Sequence, residues 1–209
     1  MKNIFNNIKK EYLLFDFIKY TAAPLMLWFR PKVTYNTSTR KGIIKGGALL
    51  ISNHNGFSDP VIMMLSVWYR RHRFICMKEL AEKPYGFIFS WFRCIPIDRD
   101  NLQLSSFREV IDALKNDELV SMFPEGAVNR EEGTVSDFKS GMVLMALFSG
   151  KPIVPMYIKE RKSFFESTKV AIGKPIDVTR FYGERPTSEQ IEKITRYIYK
   201  RQTMLKELI

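Results

Sequence analysis

The sequence predicts an α/β fold: a mostly parallel mixed sheet flanked by helices, with an N-terminal membrane-associated helical segment. Three observations carry this. Short apolar runs alternate with segments of helical period, the pattern of a parallel sheet with helices on its faces. An aromatic, lysine-bearing stretch precedes the first of those runs. Several apolar runs end abruptly in polar residues, as strands do where a site opens at their carboxyl ends. At 209 residues the chain has the length of one domain with an appended element, which sets the boundaries at 1–31 and 32–209.

Residues 4–29 read as helical, broken near Pro24. Leu13, Leu14, Phe15, Phe17, Ile18, Leu25, Met26, Leu27, Trp28 and Phe29 cover most of the circumference, while Lys9, Lys10 and Lys19 add positive charge. A helix apolar nearly all round is buried or dipped into lipid, and aromatics with lysines suit the interface. Val33–Asn36 is a short strand and Ala48–Ser52 a stronger one. A helix over Pro60–Tyr69 follows, then a strand over Arg73–Met77, a helix over Pro84–Phe92 and a short strand over Cys94–Asp98. Leu104, Phe107, Val110, Ile111 and Leu114 keep helical spacing. Leu119–Phe123 is a strand ending at a Pro-Glu-Gly turn. Phe138–Phe148 is a helix, and Ile153–Ile158 and Lys169–Ile172 are strands. The last helix starts at Thr187 or Ser188, residues of N-cap type, and carries the stripe Ile191, Ile194, Ile198, Leu205 and Leu208.

Composition narrows the function. Cys76 and Cys94 are the only cysteines, which excludes a disulfide scaffold and a four-cysteine zinc site and fits a reducing compartment. With two histidines besides, no metal site and no cofactor is expected. The N-terminal residues lack the compact apolar core and cleavage site of a secretory signal. The longest charge-free run, Gly46–Ser58, is 13 residues, against about 20 for a bilayer-spanning helix. A net charge of +11 suits an anionic partner; the alternative is that it serves solubility. Arg70, Arg71 and Arg73 follow one apolar helix, and Lys159, Arg161 and Lys162 follow one apolar strand. Nucleic acid is disfavoured, because the aromatics lie in apolar runs rather than between Lys and Arg as stacking platforms.

The candidate site gathers at the strand ends after Ile51, Ile97, Met122 and Val154. After the first comes Ser52-Asn53-His54-Asn55-Gly56-Phe57-Ser58-Asp59-Pro60. Pro60 can open a helix, so the loop can fold the Asp59 carboxylate back onto the His54 imidazole. A carboxylate on one ring nitrogen fixes the tautomer and leaves the other as a base for a substrate hydroxyl; the alternative is Asp59 as a plain helix cap. Asp98 and Arg99 follow the second strand, and arginine's fork matches phosphate oxygens; the alternative is a surface ion pair. Phe123-Pro124-Glu125-Gly126 turns the chain at the third, with Glu125 facing the mouth. Pro155, inside the apolar run Ile153–Tyr157, marks a strand bend beside a site or an edge strand. His72, within Arg-Arg-His-Arg, reads as exposed. Cys76 reads as core, and Cys94, beside Arg93, has no base to pair with.

Taken together, Asn53-His54 through Asp59, Ile95-Pro96-Ile97-Asp98-Arg99, Phe123-Pro124-Glu125-Gly126 and Val154-Pro155 resemble the four blocks of the glycerolipid acyltransferases, in order and interval, over about Val33–Ile172. The likeness is greatest to the bacterial 1-acylglycerol-3-phosphate acyltransferases. It implies transfer of a fatty acyl group from acyl-CoA or acyl carrier protein, as co-substrate, to a lysophospholipid hydroxyl. It implies a membrane-lipid partner and an enzyme on the cytoplasmic face of the inner membrane. By the same resemblance His54 is the general base and Asp59 its orienting partner. Arg99 holds the acceptor's phosphate, and Asn53, Phe123, Glu125 and Gly126 shape the acceptor site. Backbone N–H groups near the Gly126 turn or at a helix start would stabilise the oxyanion.

The chain departs from the family where the third block usually continues Thr-Arg-Ser; here it reads Ala127-Val128-Asn129-Arg130. Val128 offers no charge to a phosphate, and Arg130 is the substitute two positions on. The second block usually has a glycine before its apolar pair and phenylalanine in place of Pro96. An acceptor lacking the terminal phosphate is therefore the alternative within the class, and a non-catalytic lipid-binding module the alternative outside it.

Overall fold

The computed structural model describes residues 16, 17, 21, 31–36, 44–98, 104–128, 135–159, 161, 166–181 and 186–209. In chain order these form β1 (Lys32–Tyr35), β2 (Ala48–Ser52), α1 (Asp59–Ser66), β3 (His72–Met77), α2 (Lys78–Ala81), α3 (Phe87–Trp91), β4 (Ile95–Ile97), α4 (Leu104–Lys115), β5 (Leu119–Met122), α5 (Gly141–Ser149), β6 (Ile153–Ile158), β7 (Lys169–Ile172) and α6 (Ser188–Thr203). Short 3₁₀ turns occupy Val178–Arg180 and Met204–Leu208.

The strands build one sheet in the order β1-β7-β6-β2-β5-β3-β4. Strands β2 to β6 run parallel, while β7 pairs antiparallel with β6 and carries β1 parallel to itself. The mixed, mostly parallel sheet expected from the alternation is thus present. The central strand β2 is apolar on both faces because both are covered. Leu49 and Ile51 pack with Val110, Leu114, Met142, Val143, Ala146, Ile194 and Ile198 from α4, α5 and α6. Ala48 and Leu50 face the other way, onto Ile62, Met63 and Met64 of α1. Fully burying each such Leu or Ile contributes about 1.5–3 kcal/mol.

Boundaries shift for local reasons. The helix after β2 begins at Asp59 with Pro60 in its first turn, where a missing N–H costs nothing. The expected helix from Pro84 splits: α2 forms earlier, over Lys78–Ala81, and α3 starts only at Phe87. Between them Gly86 presses so closely on the Ala81 carbonyl that a Cβ would stand 1.8 Å from its oxygen. Helix α5 starts at Gly141 rather than Phe138 and ends on Gly150, whose φ of +66° is left-handed. Thr187 and Gln190 form a reciprocal capping box at the start of α6. That helix tightens to 3₁₀ from Met204, which rotates the stripe: Leu205 is buried while Leu208 is exposed, against expectation.

Three other expectations change. Pro155 neither bends the strand nor marks an edge. It lies in unbroken β6 between β2 and β7, opposite Ile51. Its absent N–H falls where the β7 ladder, which runs over Met156–Ile158, has already ended, and its carbonyl accepts from Gly173 N–H. His72 is buried, with Nδ1 2.8 Å from Ser121 Oγ and Nε2 3.4 Å from the Val67 carbonyl. The arginines beside it are paired within the fold: Arg70 donates to the Ile44 and Asp117 carbonyls, Arg71 pairs with Asp16, and the buried Arg73 with Glu109 and Glu118.

The expected helix over residues 4–29 lies almost wholly outside the described residues. Within it Asp16, Phe17 and Thr21 are helical. No helix among the described residues is long and apolar enough to cross a membrane.

Candidate active site

Parallel neighbours β6, β2 and β5 end together on one side of the sheet, and the loop leaving β2 lies across their ends. That loop is held from both sides. On one side the Asn53 amide acts as a surrogate backbone: its Oδ1 accepts Ile158 N–H at 2.8 Å and its Nδ2 donates to the Ile158 carbonyl at 2.9 Å. Asn55 Nδ2 donates to the same carbonyl at 3.1 Å. On the other side Glu125, in the turn after β5, accepts His54 N–H on Oε1 at 2.9 Å and Ser136 N–H on Oε2 at 2.8 Å. Gly126, with φ at +83°, closes that turn by donating its N–H to the Phe123 carbonyl.

Between these anchors His54 and Asp59 meet. Nδ1 of His54 lies 2.9 Å from Asp59 Oδ2. The same oxygen accepts the Asn55 and Gly56 backbone N–H groups at 2.6 and 2.8 Å, so the loop winds around one carboxylate. An oxygen already accepting two N–H groups calls for a protonated Nδ1, which leaves the Nε2 lone pair bare. No described residue hydrogen-bonds Nε2. The ring stacks on Phe123 at 4.0 Å between centroids and 15° between planes, which fixes its orientation. Its side chain is 17% exposed and that of Asp59 4%, so solvent reaches the base but not its partner. The arrangement can take a proton from a hydroxyl and return it to a leaving group.

Burial pushes the Glu125 carboxyl above its usual range, against the opposing pull of the Ser136 and His54 N–H groups. Asn53 and Glu125, expected to shape the acceptor site, are both buried, and backbone groups occupy their polar atoms. The Gly126 N–H, expected near the oxyanion, is committed to its own turn. Arg99 and Arg130 lie outside the described residues, as does Lys162. Asp98 faces Lys78 at 3.9 Å. Cys94 does have a thiol partner: its hydrogen bond with Cys76 and then burial push its thiol up, and the same bond lowers that of Cys76.

The sequence reading missed three participants. Ile158 offers only backbone, at a strand end four residues past the one expected at Val154. Ser136 reaches Glu125 across a loop with no motif. Gln202 lies on the last turn of α6; its stripe position gave no polar signal.

A profile of the Acyltransferase family matches residues 30–159. A 1-acyl-sn-glycerol-3-phosphate acyltransferase from Bacillus subtilis (strain 168) is 26% identical over 168 residues, covering 78% of this chain and 81% of that protein. A protein of the same name from Limnanthes douglasii is 34% identical over 121 residues, 54% of this chain and 41% of its own length. The crystal structure of the 1-acyl-sn-glycerophosphate (LPA) acyltransferase PlsC from Thermotoga maritima superposes with a TM-score of 0.68 at 21% identity, over 100% of this chain and 83% of that one, a likeness of fold. The matched segment spans more than half of the chain and contains both His54 and the turn that holds it, and on that ground the protein belongs to the acyltransferase family.

Proposed function

We propose that the protein transfers a fatty acyl group from an acyl-CoA or acyl-carrier-protein thioester to the hydroxyl of 1-acylglycerol-3-phosphate. The observation that carries this reading is the His54–Asp59 contact, with Nε2 left open, in a chain similar to proteins named for that reaction. The hydroxyl oxygen attacks the thioester carbonyl carbon while its proton passes to His54 Nε2. The tetrahedral oxyanion then collapses, the C–S bond breaks, and the departing sulfur takes the proton from Nε2. No covalent enzyme intermediate is needed. Asp59 holds the ring and balances the transient imidazolium.

Arg99 is proposed to hold the acceptor's phosphate, with Arg130 in place of the arginine missing at Val128. Purified protein supplied with acyl thioester and lysophosphatidate should release free thiol and form diacylated product; no release across acyl lengths and both donor types would overturn the reading. Val128 favours one second reading, an acceptor without the terminal phosphate. Equal thiol release from the same lyso-lipid with and without its phosphate would select it.

Residues 1–31 are proposed as an interfacial segment that seats the α/β domain, 32–209, on the cytoplasmic face of the inner membrane. Phe57, two residues before Asp59 and 95% exposed, presents a second apolar group beside the mouth. Deleting residues 1–31 should release the protein from vesicles.

A further inference from the structure

Helix α6 begins well beyond the matched segment 30–159, yet its last turn places one side chain against the loop of His54. Gln202 is wholly buried. Its Nε2 donates to the Met156 carbonyl at 2.9 Å and reaches Asn53 Oδ1 at 3.4 Å, the second bond at the long end of the range. The orientation of both amides is fixed. Asn53 must turn Oδ1 toward Ile158 N–H and Nδ2 toward the Ile158 carbonyl, so Gln202 faces two acceptors and can present only its NH₂ group. Its own Oε1 is then buried without a hydrogen-bond partner among the described residues.

Docking of the helix does not require this amide. Ile194 and Ile198 anchor α6 in the main core, and Leu205 packs on Tyr157 and Ala171 just beyond it. An apolar side chain of equal length would remove the unpaired Oε1, at the cost of the donor to the Met156 carbonyl. What the amide adds is direction. Met156 stands opposite Ser52 in the β2–β6 register, and Asn53 and His54 follow Ser52 directly. We propose that Gln202 is a positioning residue, acting through Asn53 to hold the His54 loop at the ends of β2 and β6. The inference rests on the role given to His54 above.

The test uses the full chain with Gln202→Met, Asn53→Ala and the double variant, assayed by thiol release from acyl thioester with lysophosphatidate. The expected result for Gln202→Met is a Tm lowered by no more than a few degrees, because the lost donor to Met156 is offset by removal of the unpaired Oε1, with an unchanged KM and a kcat about 10- to 100-fold lower, the scale at which small misplacements of a reacting group act. The double variant should be no slower than Asn53→Ala alone, because the two residues act in series. Amide hydrogen exchange should quicken at Ile158 and His54 and not in the rest of β6. Unchanged kcat, multiplicative losses in the double variant, or loss of the cooperative unfolding transition in Gln202→Met would each overturn the proposal. Exchange needs no substrate. A wild type silent in the assay, with the localised exchange change still seen in Gln202→Met, would therefore refute the acyl-transfer reading while supporting the positioning role.

Discussion

The chain has two histidines, and the structure treats them in opposite ways. His54, past the carboxyl end of β2, has one ring nitrogen engaged by Asp59 and the other without a described partner. His72, at the amino end of β3, is 1% exposed, with Nδ1 on Ser121 Oγ, Nε2 on the Val67 carbonyl and its face stacked on Phe74. Both rings are oriented by neighbours, each by a stacked aromatic face and by hydrogen bonding at the ring nitrogens. The difference lies in what is left over. A fully satisfied ring has no lone pair to offer and serves as structure, while a half-satisfied one at a solvent-reached mouth can exchange protons. The surroundings follow the same division. At the amino end, Arg70 donates to two carbonyls, and Arg71 and Arg73 are paired with carboxylates. At the carboxyl end, the polar groups of the loop are spent on holding it in place.

Replacing each ring in turn breaks the comparison most directly. His54→Ala should lower kcat about 10²- to 10⁴-fold, the contribution of a positioned base, and shift stability by less than about 1 kcal/mol. Asp59 Oδ2 keeps its two backbone donors in that variant. His72→Ala should do the reverse. It opens a cavity and leaves Ser121 Oγ and the Val67 carbonyl without the ring, at about 2–4 kcal/mol of stability. The activity of the molecules that remain folded should stay within about twofold of wild type. Thermal unfolding and single-turnover rates on both proteins decide the matter. A large kcat loss in His72→Ala with little loss of Tm would show that the division between the two ends is wrong.

Glu125 sharpens the contrast, because it is buried like His72 yet belongs to the site. Glutamine would keep one acceptor and turn an NH₂ toward the His54 or Ser136 N–H, so Glu125→Gln should lower kcat about tenfold by loosening the loop. The pH dependence has a definite sign. The native carboxyl is raised above 4.5, so the folded state binds the proton more tightly than the unfolded chain does. The wild type's stability relative to Glu125→Gln is therefore greatest below about pH 4.5, falls as pH climbs through the raised native value, and then levels off. Denaturant midpoints for both proteins from pH 4 to 8 check this; a difference that grows with pH would reverse the assignment.

How much of this was legible in the sequence follows the same line between apolar pattern and polar geometry. Ala48–Ser52, Ile153–Ile158 and Lys169–Ile172 match their strands to the residue, because a run buried on both faces has sharp ends. The His54–Asp59 contact was legible because Pro60 fixes a helix start and the loop between is short. The roles of Asn53 and Glu125 were not. A side chain's identity does not say whether it faces a substrate or a neighbouring backbone N–H. His72 was misread for a related reason: three flanking arginines look like a solvated surface until Asp16, Glu109 and Glu118 arrive from distant segments to pair with Arg71 and Arg73, and backbone carbonyls take Arg70. Pro155 looked like an interruption, but an antiparallel neighbour whose ladder starts one residue later makes it harmless.

The smallest expected effect lies at the far end of α6. Thr187 accepts Gln190 N–H on its side chain while Gln190 Oε1 accepts Thr187 N–H, so two of the orphan donors at the helix start are satisfied. Thr187→Ala removes the first bond and should cost about 1 kcal/mol. Thr187 is exposed and Gln190 half-buried, and fraying should stop within the first turn, because Ile194 and Ile198 hold the rest of the helix in the core. Gln202, at the opposite end, should then keep its hold on Asn53, and kcat should be unchanged while Tm drops by a few degrees. The variant therefore separates loss of helix stability from loss of the contact that the helix makes with the loop. If Thr187→Ala slowed turnover as much as Gln202→Met, α6 would be acting on the site as a whole body rather than through the one amide on its last turn.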